Sequence, residues 1–110
     1  MEEWPGQYVR IMAEYCSEGV WDSDGCAGTV DELPLPPDLQ ADIRAWAFWY
    51  DRDSLDNPIF PVAEFATQGL ALARRVKAEL SAWIVVYFDE EKFAAAPEGA
   101  DRIVFEYEIK

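Results

Sequence analysis

The stretch Trp83-Ile-Val-Val-Tyr-Phe88 constrains this chain more than any other. It is β-branched and aromatic with no polar interruption, so it reads as a central strand covered on both faces. The earlier segment 8–16 alternates in character. Val9, Ile11, Ala13 and Tyr15 fall on one side, and Tyr8, Arg10, Met12, Glu14 and Cys16 on the other. That period of two predicts a first strand. What lies between the two strands fixes how they pair.

Two helical patterns fill that gap. Pro36-Pro37-Asp38 opens the first, since proline suits the first helical position and an acid suits the positive end of the helix dipole. Leu39, Ile43, Trp46 and Tyr50 then form one apolar stripe, with Ala47 on the same side. Phe48 and Trp49 lie off its centre. A helix apolar this far round either touches two neighbours or leaves aromatic surface exposed. A polar, proline-rich linker is expected over 51–61. The second helix is predicted over roughly 62–80, with Val62, Phe65, Ala66, Gly69, Ala73, Val76 and Leu80 inward. Gly69 costs about 1 kcal/mol against alanine in a helix, so it points to close approach by a strand or the first helix.

Strands joined through helices pair in parallel by a right-handed crossover. Residues 89–96 suggest a short helix, and Arg102 to Lys110 alternate again. That last strand should pair antiparallel with the central one. The expected fold is therefore α+β, in the order β-loop-α-α-β-β. A small three-stranded mixed sheet carries two helices on one face. The other face is expected to show Arg10, Met12, Glu14, Glu106 and Glu108. The 110 residues suit a single domain, with residues 1–7 expected as a mobile N-terminal extension.

The connection 17–36 is long and punctuated by Gly19, Gly25, Gly28 and Pro34 to Pro37, and loops of that length are often functional. It belongs to a wider acidic run. Between Arg10 and Arg44 stand eight carboxylates and no Lys, Arg or His: Glu14, Glu18, Asp22, Asp24, Asp31, Glu32, Asp38 and Asp42. The net charge of −13 repels DNA, RNA and anionic lipid, which argues against nucleic-acid or membrane partners. It favours encounter with a basic protein. No apolar run reaches a membrane span, and the acidic N-terminus lacks a signal core, so a cytoplasmic location is expected. Cys16 and Cys26 then read as reduced thiols.

Catalytic readings find little support. The chain has no histidine, which removes the commonest general base and metal ligand. Asp22-Ser-Asp24-Gly25 resembles part of a calcium loop. With Gly25 at the sixth position, however, the first ligand would be Val20, which binds no ion. An Asx-type turn is the expected role. With 22 acidic residues, neighbouring carboxylates arise by chance, and the chain is short for a sugar cleft. No cofactor is expected. The residues singled out as partner contacts are Glu14, Glu18, Trp21, Asp22, Asp24, Asp31, Glu32, Glu106 and Glu108. Trp21 earns its place as an aromatic within the acidic loop, and the two glutamates as alternate positions of a terminal strand.

Several segments together carry a family likeness. They run from Arg10-Ile-Met-Ala-Glu-Tyr-Cys to Val20-Trp-Asp, then through Leu33-Pro-Leu-Pro-Pro-Asp-Leu and Ala45-Trp-Ala-Phe-Trp-Tyr-Asp. Gly69-Leu-Ala-Leu-Ala-Arg and Trp83-Ile-Val-Val-Tyr-Phe-Asp-Glu complete the set. The pattern resembles a family of small uncharacterised bacterial proteins. In size, acidity and lack of catalytic motifs the chain is also similar to immunity proteins of polymorphic and contact-dependent toxins. That resemblance implies neutralisation of a cognate basic toxin by occlusion of its active cleft, as a monomer or homodimer. It transfers no individual residue, because such proteins share no common motif. The competing reading is a small oligomeric enzyme or ligand-binding protein, with carboxylates and Tyr15 or Tyr87 lining a pocket between the long loop and the sheet. A third is a homo-oligomer joined through the last strand.

Overall fold

The computed structural model describes residues 4–55 and 57–110, with the Arg102 side chain left aside. Its elements are β1 (Tyr8–Ile11), β2 (Val20–Trp21), α1 (Pro37–Asp53), α2 (Val62–Glu79), β3 (Ile84–Phe88), α3 (Glu90–Ala94) and β4 (Glu106–Glu108). Short 3-10 turns occupy Val30–Glu32 and Arg102–Phe105. The sheet order is β2-β1-β3-β4. β1 and β3 run parallel, with Val9 opposite Val85 and Ile11 opposite Tyr87. β4 is antiparallel to β3, with Tyr107 opposite Tyr87. The α+β class, the helical connection between β1 and a parallel β3, and both strand directions follow the sequence expectation.

The sheet has four strands where three were expected. The extra one, β2, is two residues long and comes from the loop folding back on β1 as a hairpin. Strand character in β1 ends at Ile11 rather than continuing to Cys16. There the Met12 N–H bonds the Gly19 carbonyl, and Glu14 to Ser17 form a turn with Cys16 at a left-handed φ of 63°. Helix α1 runs three residues past Tyr50 into the expected linker. The Ser54 hydroxyl and the Asn57 amide then close it, donating to the Tyr50 and Asp53 carbonyls.

The predicted last strand is also shorter. The Asp101 carboxylate accepts from the Ile103 N–H and starts a 3-10 turn, so Ile103 stands 65% exposed instead of facing inward. Of the expected N-terminal extension, residues 1–3 lie outside the described residues. Trp4 is buried, and its indole N–H donates to the Tyr8 carbonyl.

Helices α1 and α2 cover one face of the sheet. Val9, Ile11, Val20, Val85 and Tyr87 point into that layer and are fully buried with Ile43, Phe65 and Val76, beside the buried Trp46. The long loop adds Val30, Leu33 and Leu35 to the same core. Gly69 is the point of closest approach. A Cβ there would lie 2.5 Å from the Trp46 ring on α1 and 2.6 Å from the Tyr87 hydroxyl on β3. Both neighbours proposed for it from sequence are present. On the opposite face, Met12 is buried rather than shown, while Arg10, Glu106 and Glu108 face outward as expected.

Candidate partner-binding surface

The acidic run finds its cations far along the chain. Arg44, projecting from α1, pairs with Asp31 at 2.6 Å and with Glu18 at 3.3 Å. The Asp31 hydrogen bond is the main reason Arg44 holds its proton more tightly than usual. Glu18 also accepts from the Val30 N–H at 2.9 Å, tying the β1–β2 turn to the loop. Arg75 of α2 bonds Asp42 at 2.7 Å and lies 3.7 Å from Asp38. Half-exposed pairs of this kind are worth about 0–1 kcal/mol each, so they orient side chains more than they stabilise the fold. The Glu18–Arg44–Asp31 cluster keeps an excess negative charge.

Asp22 makes the expected Asx turn. One of its oxygens accepts from the Asp24 and Cys26 N–H groups at 2.9 and 3.0 Å. Gly25, at φ 81°, completes the reversal that returns the chain to the sheet at Ala27. Glu32 accepts from the Thr29 backbone and hydroxyl at 3.1 and 3.0 Å. Asp22 and Glu32 then line a shallow groove of about 490 Å³ with Trp4, Pro5 and Cys26. Among the described residues, Asp22, Asp24 and Glu32 have no Lys or Arg partner. Their charge is left for the outside.

These groups form one connected edge. Glu32 of the groove adjoins Asp31, Asp31 reaches Glu18 through Arg44, and Glu18 faces Asp51 across a second cleft. Asp51 itself accepts from the Cys16 N–H at 3.2 Å, and Glu14 sits in the same turn. The edge gathers Glu14, Glu18, Asp22, Asp24, Asp31 and Glu32. Trp21, Glu106 and Glu108 sit elsewhere, on the sheet face away from the helices. Val20 enters the core, so its neighbour Trp21 must take the other side. The Trp21 indole donates to the Met12 carbonyl at 2.8 Å, and the Arg10 guanidinium lies 5.7 Å from its ring. Arg10 bonds Glu106 at 3.1 Å, each side chain 18% exposed. Glu108 pairs with Lys110.

Of the tyrosines of the competing reading, Tyr87 is taken up by the core, whereas Tyr15 is 38% exposed and lines a cleft of about 280 Å³ with Tyr50 and Glu90. Tyr87 is fully buried and donates to the Ala66 carbonyl at 2.8 Å, and burial pushes its pKa above the ordinary phenol range. The Tyr15 hydroxyl lies 3.0 Å from the Ser54 hydroxyl. Cys16 and Cys26 are exposed and unbonded to each other. No helix is long and apolar enough to cross a membrane, among the described residues. Sequence reasoning missed Arg44 as the organiser of the edge. Its only signal was its position as the first cation after the acidic run.

The profile of a family described as Serratia CdiI immunity protein-like covers residues 7–90, well over half of the chain. No curated protein matches it.

Proposed function

The chain belongs to the Serratia CdiI immunity protein-like family, and from that premise we propose that it neutralises a cognate basic toxin by binding through its acidic edge and covering the toxin's active cleft. Membership supports toxin neutralisation in general. The reading of the mechanism rests on one observation: Asp22 and Glu32, which line the groove, and Asp24, in the turn that Asp22 makes, have no Lys or Arg partner among the described residues. Charge held this way acts over roughly a Debye length, about 8 Å at physiological salt. It orients an approaching cationic cleft before contact, and can raise association rates by about tenfold or more. We place Trp21, Glu106 and Glu108 outside the interface, as fasteners of the open sheet face.

Growth protection tests this reading. The tagged chain is used to retain its partner from the native host, and the retained protein is identified and expressed in a naive strain. Co-expression of the chain should restore growth, and the complex should form more slowly as salt is raised. A retained protein that is harmless, or a toxin whose association is indifferent to salt, would overturn it.

A further inference from the structure

The acidic edge lacks the aromatic anchor that the sequence assigned to it, because Trp21 faces the other side of the sheet. Another aromatic stands in that place. Phe48 is 59% exposed on α1 and lines a cleft of about 380 Å³ with Ser17, Glu18, Arg44, Ala45 and Asp51. One wall is the Cys16–Glu18 turn, held to α1 by the bond from the Cys16 N–H to Asp51. The small side chains of Ser17 and Ala45 leave the floor open. The Arg52 guanidinium lies 5.6 Å from the Phe48 ring and is itself bonded to Asp53, which steadies both. The cleft is thus an apolar slot with Glu18 and Asp51 on two sides; Arg44, also in its lining, is shared between Glu18 and Asp31, so a net negative charge remains and the slot is continuous with the edge.

We propose that this slot receives an apolar side chain flanked by Lys or Arg on the toxin, with Phe48 as the desolvated anchor of the interface. The inference rests on the neutralisation reading above and deepens it. Charge steers partners together but is screened by salt. Residence depends on a few large side chains packed out of water, with aromatics prominent among them. The flanking carboxylates define the occupant: they reject an acidic or second-copy surface of the same charge, and match cations on either side of an apolar residue.

The test uses defined peptides, so it stands apart from the growth assay. Capped Lys-Lys-Leu-Lys-Lys and Lys-Lys-Ser-Lys-Lys are titrated against the labelled chain at low salt and followed by amide NMR. The leucine peptide should shift the amides of Ser17, Glu18, Ala45 and Phe48 and bind about threefold or more tightly than the serine peptide, the discrimination of roughly one buried methylene. In Phe48→Ser that preference should vanish while the remaining, charge-driven binding persists. Ile59→Ser, at an exposed residue away from the cleft, should keep it. Equal binding of the two peptides, shifts centred elsewhere, or a preference surviving Phe48→Ser would overturn the proposal. So would concentration-dependent dimerisation of the wild-type chain that Phe48→Ser abolishes. Those results would remove the anchor alone, whereas failure of growth protection by the wild-type chain would remove neutralisation itself.

Discussion

The indole of Trp46 stacks on Phe65 with ring centroids 4.6 Å apart and planes within 8°, while its N–H donates 3.0 Å to the Phe65 carbonyl. One residue of α1 is therefore held to one residue of α2 by both ring and backbone. The contact closes only because Gly69 presents no side chain beneath it. Gly69→Ala should gain about 1 kcal/mol of helix propensity. It would also set a methyl 2.5 Å from a ring fixed by that stack and 2.6 Å from a bonded hydroxyl. Overpacking of a rigid core costs about 1–3 kcal/mol, and neither neighbour is free to retreat, so the clash should win. The urea midpoint should fall with the slope unchanged. An unchanged or raised midpoint would show that the helices are not locked as described.

Alkaline pH should test the buried hydroxyl below. Burial raises the pKa of Tyr87 well above its ordinary value of 10.0. Above that pH the unfolded chain releases a proton that the folded chain retains. Stability is then full below about pH 10 and falls as pH rises, by up to about 1.4 kcal/mol per pH unit for this group. Tyr87→Phe should lower stability by about 1 kcal/mol at neutral pH, through the lost bond to Ala66. It should also flatten the alkaline decline. Tyr50, raised by burial as well, should keep part of that slope. Chemical denaturation between pH 7 and 11 reads both effects, and an unaltered decline in Tyr87→Phe would contradict the assignment.

Neutralising the edge separates steering from folding. Asp22→Asn, Asp24→Asn, Asp31→Asn and Glu32→Gln together remove four charges and take the net from −13 to −9. Amide oxygens keep the acceptor roles in the Asx turn and toward Thr29. Stability should stay within about 1 kcal/mol, since only an exposed bridge is lost. Association with the toxin should slow by about tenfold at low salt and converge on the wild-type rate at high salt. Stopped-flow mixing measures this directly, and matching rates at low salt would rule out the edge as the steering surface.

The fold was legible where burial imposes a period. The β3 run, the α1 stripe and the α2 stripe each carry enough apolar residues to declare their geometry, and the crossover follows from their order. β2 was not legible, because two residues hold no period. The strand expected from Arg102 was misread for another reason. Ile103 and Phe105 alternate correctly with Tyr107, but the Asp101 cap makes a turn cheaper there. The acidic composition of the site was plain. Its division into an edge and a sheet face depended on the register that sets Arg10 against Trp21, which no local pattern encodes. The cation that organises the edge is Arg44, which closes the acidic run, while Arg75 on α2 holds Asp38 and Asp42.

Trp21 distinguishes the two faces. Trp21→Phe removes the bond to the Met12 carbonyl and weakens the contact with Arg10, at a cost of about 1 kcal/mol in stability. With the interface on the acidic edge, toxin affinity should be unchanged within about twofold, below the roughly tenfold that 1.4 kcal/mol of lost binding would bring. Isothermal titration supplies the comparison. A large affinity loss with little change in stability would move the interface to the open sheet face.

Cys16 is held at φ 63°, where an L-residue with a Cβ is strained by about 1–2 kcal/mol. Its N–H meets the Asp51 carboxylate, and the turn it makes forms one wall of the Phe48 cleft. Asparagine tolerates this conformation, because its short amide bonds locally to the backbone. Cys16→Asn should therefore stabilise the chain by about 0.5–1 kcal/mol, with the backbone bond to Asp51 intact. A β-branched residue at the same position should do the reverse, so Cys16→Val should lower the melting temperature. Glycine is a poorer test, since its freedom in the unfolded chain offsets the relief of strain. Thermal unfolding of the asparagine and valine variants side by side would decide the matter. The same order of stability for both would mean that the turn relaxes out of the left-handed region, and that the wall beside Phe48 is not set by it.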